Sequence, residues 1–345
     1  MSADVLERVC AGVALPPLRK GRLTSSHIVR WCAAQENWDR IHYDVEYARD
    51  VAKLPCTVIN GALKQHLLVQ CLEEAFGDPA WIWRLDYRFT GMDLVGQTLR
   101  VEGGVRDIER KDGQAFALID IRIRNVEEDR VTTEGTAVVI PGQDGRGLMD
   151  AVALRDQPMD SDASGPVADP EVPQPIRERV GTEIERVSSY SAVELGRLRL
   201  FAEAVMDVRS HHYDPKAGAA SRYGSVVALP LFPIHALSRA PGERPLSTDP
   251  LALGREGSSE VGRNLAQIFG MPSQGVMNGG NKVQIHSLLR PGETVKASSR
   301  LQAARYRKGK RGGAMLIYDT TNEYETVDGR ALLTEHQSII QRLVS

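Results

Sequence analysis

The chain repeats itself, and that repeat restricts how it folds more than any other feature. Val95-Gly-Gln-Thr-Leu99 and Pro291-Gly-Glu-Thr-Val295 each open a run of alternating β-branched and charged residues, the period-two signature of half-buried strands. At a shift of 196 positions Gly96 meets Gly292, Thr98 meets Thr294, Val105 meets Leu301 and Gly113 meets Gly309. Each run reaches a basic, glycine-containing turn (ERKDG at 109–113, RYRKG at 305–309), then a second strand and, after another polar turn, a last one. Two sets of long antiparallel strands joined by tight turns are expected.

A second correspondence lies upstream, at a shift of 170. It runs from Trp31 to Asp44 in the first half and from Phe201 to Asp214 in the second, with His42 on His212. The two shifts differ by 26 positions, so the second half carries an insertion of that size, most simply a long loop. Residues 238–260, rich in Pro, Gly and Ser, supply most of it. Residues 142–178 are dense in Gly, Pro and Asp and read equally well as a flexible linker or as an ordered surface connection. The organisation expected is a half at 1–141, a linker at 142–179 and a second half at 180–345.

The strongest helix signal is Gly61–Phe76, with Asn60 as N-cap and Gly77 as stop. Its apolar residues cover more than one stripe, so the helix must be wrapped, and the adjoining sheet is the available apolar surface. The second-half counterpart follows Pro230 and is weakened by Pro233. One long helix embraced by a curved antiparallel sheet, twice over, is an α+β tandem (double) hot-dog. Two such units usually pair their sheets edge to edge, which also removes exposed edges.

With 43 Lys+Arg against 45 Asp+Glu the chain has no global basic field, so nucleic acid is not a favoured partner. No run of 18 apolar residues is present to span a membrane. Asp4 and Glu7 stand where a signal peptide carries basic residues, and the four cysteines form no C-x-x-C pair. A reduced cytoplasmic setting is the simplest expectation.

Ile41-His-Tyr-Asp44, followed by Asn60-Gly61 and a helix, resembles the MaoC-type enoyl-thioester hydratases and dehydratases. The wording Asn37-Trp-Asp-Arg-Ile-His-Tyr-Asp44 is closer to a subgroup that includes mesaconyl- and itaconyl-CoA hydratases. The second half resembles the fatty-acid-synthase-like dehydratase domain through FAEAV at 201–205, Leu289-Arg-Pro-Gly-Glu293 and the KGKRGG turn. In many relatives the synthase-like half comes first; here it is second. The resemblance covers about residues 20–140 and 180–342. It implies syn addition of water across an enoyl thioester, or the reverse, without metal or redox cofactor. Coenzyme A or a carrier protein enters as part of the substrate.

That reaction needs a base to take a proton from water and donors for the enolate-like thioester oxygen. A helix N-terminus supplies such donors together with a positive dipole end. The resemblance points to His42 as base or water ligand, Gly61 as the oxyanion-binding amide, and Asn60 and Arg40 as substrate-binding residues. The family's water-binding Asp falls on Asn37, which holds water but cannot take its proton. Asp39 is a candidate for the displaced carboxylate; its plainer reading is a turn or capping residue. Asp207 and His212 keep the Asp-to-His spacing and are a second-choice pair. However, Gly61 aligns with Pro230 (TVINGAL on VVALPLF, a shift of 169), and proline has no N–H to offer an oxyanion.

Two other readings stand beside this one. A hot-dog thioesterase would place an acid in or near the helix, and the first acid there, Glu73, lies far along it. An acyl-thioester-binding or heteromeric partner subunit without its own activity would explain the split constellation; homodimer and hot-dog heteromer both stay open. RYRKGKR at 305–311 reads as a solvated hairpin tip before a coenzyme A phosphate contact, and Asn278-Gly-Gly-Asn281 reads as a turn.

Overall fold

The computed structural model describes residues 10–78, 80–111, 113–142, 166–238, 240, 260–262, 265–270, 273–308 and 313–343. In the first half a short strand β1 (Leu18–Lys20) precedes helix α1 (Ser25–Gln35) and the long helix α2 (Gly61–Phe76). Strands β2 (Trp81–Phe89), β3 (Leu99–Lys111), β4 (Gln114–Asn125) and β5 (Arg130–Ile140) come next. The second half opens with β6 (Val167–Ala168), α3 (Gln174–Arg177) and β7 (Glu183–Ser188), then α4 (Leu195–Val205) and α5 (Pro215–Ala220). It closes with α6 (Leu265–Ile268) and strands β8 (Ser273–Ile285), β9 (Val295–Lys308), β10 (Ala314–Thr326) and β11 (Ala331–Leu343).

The strands form one continuous sheet in the order β1-β3-β4-β5-β2-β8-β11-β10-β9-β6, with β7 on β9. The expected two sheets are therefore two halves of one, joined where β2 pairs antiparallel with β8, from Arg84 opposite Gln284 to Arg88 opposite Gly280. This seam explains Asn278-Gly-Gly-Asn281, which is strand and not the expected turn. Gly280 has φ +155, and a Cβ there would lie 2.5 Å from the Tyr87 carbonyl oxygen. Glycine is what lets the halves close on each other.

The repeat is visible element by element. Helices α1 and α4 are offset by 170 positions, as are the 3-10 turns Arg40–His42 and Ser210–His212. Each helix ends on a left-handed residue, Glu36 at φ 56 and Met206 at φ 61. Helix α2 starts and stops where the sequence indicates, and it is buried on nearly all sides. Leu63, Leu67, Leu68 and Leu72 are fully buried, contributing about 1.5–3 kcal/mol each.

The second half has no comparable helix among the described residues. The described residues after Pro230 form the 3-10 turn Phe232–His235, since Pro233 removes the amide that would make the first α-helical bond. Segment 260–262 lies over the inner face instead: a Cβ on Gly262 would lie 2.2 Å from Ser299 Oγ. The inserted stretch at 241–259, the tip of the basic hairpin at 309–312 and residues 143–165 lie outside the described residues. From residue 166 onward the connection is packed and not a free linker: Val172 and Ile176 belong to a core cluster with Leu301, Leu316 and Tyr318. Among the described residues no helix is long and apolar enough to cross a membrane.

Candidate active site

Hydrogen bonds tie the turn that carries His42 and the end of α1 to the segment leading into α2. Past Glu36 the chain turns back so that the Asn37 amide donates to the Cys32 carbonyl at 2.9 Å. Asn37 is buried, and its Oδ1 accepts the Asp39 amide at 3.0 Å. Asp39 in turn caps the 3-10 turn through its carboxylate, which accepts the Ile41 amide at 3.3 Å. Asp39 is thus the turn-capping residue of the plainer reading.

His42 is buried on that turn, with Nδ1 2.9 Å from the Val58 carbonyl oxygen. A carbonyl only accepts, so Nδ1 carries the hydrogen and Nε2 is the nitrogen with a lone pair for a proton. Val58 is itself fixed: its amide donates to Ile41 at 3.1 Å, and the next amide, Ile59, donates to Asp93 at 2.8 Å. Only Ile59 and Asn60 separate Val58 from Gly61, so the residue that holds the imidazole lies within about 10 Å of the first residue of the helix.

Asn60 occupies the N-cap position with extended backbone, yet its side chain makes no capping bond. Its Oδ1 accepts instead from Cys32 Sγ at 3.8 Å, and its buried Nδ2 has no partner. The side-chain acceptor that normally satisfies first-turn amides is therefore turned away from them. Cys32 is no nucleophile: burial pushes its thiol up to about 12. A Cβ on Gly61 would lie 3.1 Å from the Phe89 ring, so the smallest residue keeps that approach open. Arg40 is not part of the cluster; its guanidinium pairs with Asp44 at 2.6 Å and lies over the Tyr47 ring.

The group that holds this loop was not singled out by the sequence motifs. Lys64, in the first turns of α2, is buried with its ammonium 2.7 Å from Asp93. The same carboxylate accepts from Thr132 Oγ1 at 2.8 Å and Asn125 Nδ2 at 2.9 Å. Burial lowers the Lys64 pKa, and the Asp93 charge works against that. The carbonyl of Asp93 receives the Ile59 amide, so the ion pair anchors the segment that carries both Val58 and Gly61. A lysine in the first turns of a helix expected to be wrapped on most sides is its one sequence signal.

The second-half pair is also brought together, in a different setting. His212 Nδ1 lies 2.9 Å from the Val227 carbonyl, mirroring His42 and Val58. Its Nε2 is buried without a partner. Carboxylate oxygens of Asp207 and Glu73 and a ring nitrogen of His212 lie within 4.8 Å of one another. Arg209, at the position of Asp39, pairs with both acids. Burial works against the Asp207 charge, but Arg209 outweighs it and holds the carboxyl below its usual range. Burial, then Arg209, lowers His212 to about 4. Glu73, too far along α2 for a thioesterase acid, is the partner that closes this lock. His211 packs against His212 and Tyr223 in the same turn.

Comparisons with known proteins agree with this architecture. Residues 178–335 match the family model described as FAS1-like, dehydratase domain region. Residues 16–95 match hydroxyacyl-thioester dehydratase type 2. Among solved structures, a MaoC domain protein dehydratase of Chloroflexus aurantiacus superposes with TM-score 0.63 at 10% identity, covering 98% of this chain and 96% of that one. A MaoC-like dehydratase superposes with TM-score 0.59 at 12% identity, covering 99% and 100%. A Mycobacterium tuberculosis protein described as a double hotdog fold gives TM-score 0.59 at 14% identity, covering 97% of each. No curated protein sequence matched the chain. A dehydratase family model matches within each half, and the chain has the double hot-dog fold of these structures.

Proposed function

We propose that this chain is a hydro-lyase that adds or removes water at an enoyl or 3-hydroxyacyl thioester, with its chemistry in the first half. The observation that carries the reading is the pairing of His42 with Val58. It fixes the imidazole tautomer with Nε2 as proton acceptor and ties the ring to the segment that starts α2. In the hydration direction Nε2 takes a proton from water as the water oxygen bonds to C3. The electron pair of the double bond moves toward the thioester oxygen, which the Gly61 amide and the positive end of α2 stabilise. The imidazolium then returns the proton to C2 on the same face, so the addition is syn and the catalyst is restored. The amides of Asn37 and Asn60 position water and the thioester without taking protons.

The second half is the weaker reaction centre. Pro230 offers no amide where Gly61 stands, Arg209 engages Asp207, and His212 is too weakly basic for proton transfer near neutral pH. Coenzyme A or a carrier protein presents the substrate, and the cytoplasm is the proposed setting. Loss of the conjugated-enoyl absorbance on incubation with crotonyl-CoA and mesaconyl-CoA tests the reading. Turnover on either supports it; none on either by folded protein overturns it. Release of free thiol in place of hydration would assign the site to a thioesterase.

A further inference from the structure

Between α2 and the second half lies a group of polar side chains that the hydration chemistry does not use. Trp31 and Gln35 on α1 and His66 on α2 are all buried. Trp31 Nε1, Gln35 Oε1 and both ring nitrogens of His66 have no hydrogen-bond partner. They are one cluster: the Trp31 and His66 rings are 5.5 Å apart, His66 and His235 are 5.3 Å apart, and Gln35 Nε2 is 2.8 Å from the Glu260 carboxylate. Phe201 closes it, 5.0 Å from His66. Four unpartnered polar atoms in one buried place destabilise the fold unless a bound polar group satisfies them.

The cluster adjoins the candidate centre. His66 lies five residues after Gly61, about 7.5 Å along the helix axis. Cys32, between Trp31 and Gln35, contacts Asn60. We infer that the cluster receives a neutral hydrogen-bonding group, a hydroxyl or carbonyl, carried on the acyl chain of the thioester. The inference rests on the reading of the first half as the acyl-thioester site. Trp31 supplies a donor, Gln35 an acceptor, and a neutral His66 one of each. Burial, then His235, lowers His66 well below its ordinary pKa, so it adds no positive charge. The Glu260 carboxylate beside His235 and Gln35 opposes an anion. A purely aliphatic chain leaves all four atoms unsatisfied.

Binding of unreactive saturated thioesters to the full chain separates this inference from the catalytic one. Butyryl-CoA is compared with 4-hydroxybutyryl-CoA, hexanoyl-CoA with 6-hydroxyhexanoyl-CoA, and succinyl-CoA supplies the anionic arm, all by titration calorimetry. The hydroxylated member of at least one pair is expected to bind about tenfold or more tighter than its parent, with succinyl-CoA weakest. His66→Leu should abolish the preference; if it does not fold, Gln35→Met carries the same test. Equal or tighter binding of the aliphatic chains overturns the inference and leaves the cluster to ordered water only. A hydroxyl preference unchanged in a folded His66→Leu protein also overturns it. If no enoyl-CoA is hydrated yet the preference is present, the catalytic reading fails and this one stands.

Discussion

The first and second halves share a helix, a tight turn and a histidine, and differ in what surrounds the histidine. In both, Nδ1 is held 2.9 Å from a valine carbonyl, Val58 or Val227. Beyond that bond the first half offers a long helix, an uncapped start and a neutral Asn37. The second offers Pro230, a short 3-10 turn and an acid already joined to Arg209 and Glu73. A preserved spacing, then, does not preserve a reaction. The same Nε2 is the proposed proton acceptor in one setting and, with its pKa lowered to about 4, a poor base in the other.

Substituting the two histidines in turn probes the largest difference. His42→Ala should lower turnover by about 10²- to 10⁴-fold, whereas His212→Ala should leave kcat within a few-fold while lowering the melting temperature. The reverse result would move the reaction to the second half. Next in size is the Lys64–Asp93 anchor of the first half. Lys64→Met leaves Asp93 buried without its counter-charge and should cost about 3–5 kcal/mol in urea unfolding.

Making the first half like the second at one atom is the sharper test. Proline suits a first helical position, and Asn60 already has ψ 133, as a residue before proline prefers. Gly61→Pro should therefore keep the helix but remove the amide, lowering kcat by about 10²- to 10³-fold. Gly61→Ala is the control, because it places the same Cβ against Phe89 and keeps the N–H. Equal losses in both would assign the effect to crowding.

The second half also carries a pH effect of its own. Glu335 is fully buried, its pKa raised to about 7 by burial against the hydrogen bonds of Asn322, Tyr324 and Asn281. The folded state therefore holds a proton that the unfolded chain has released above its ordinary carboxylate pKa. Stability from this group falls as pH rises from about 4.5 to about 7 and is level beyond that. Glu335→Gln should gain on the wild type across that window in melts, the difference flattening above it. His211, His212 and His66, all lowered, contribute with opposite sign over much of the same range, so the difference between the two proteins is the quantity to read. The smallest effect expected is from Pro230→Gly, which restores an amide to a half whose acid is already engaged. Turnover should change less than about twofold.

The repeat, the boundaries of α2 and the Gly61–Pro230 contrast are all legible in the linear chain. Each depends on short-range periodicity or on one residue's backbone chemistry. The family motif also led to His42, Asn37, Asn60 and Gly61, which lie within 25 positions of one another. Asn60, however, fills the cap position without capping, and that follows from Cys32, a neighbour only in space. Asn278-Gly-Gly-Asn281 looked like a turn because glycine pairs usually make one; pairing with β2 makes it strand.

Sequence alone determined two copies of one strand-rich unit and where a helix could begin with a free-standing amide, because those properties are local. Tertiary structure decided the charges and the partners. Arg209 meets Glu73 across 136 positions, Lys64 meets Asp93 across 29, and His66 faces His235 from the other half. Coulomb and desolvation terms depend on distance and burial, and both are set only when the halves close along β2 and β8.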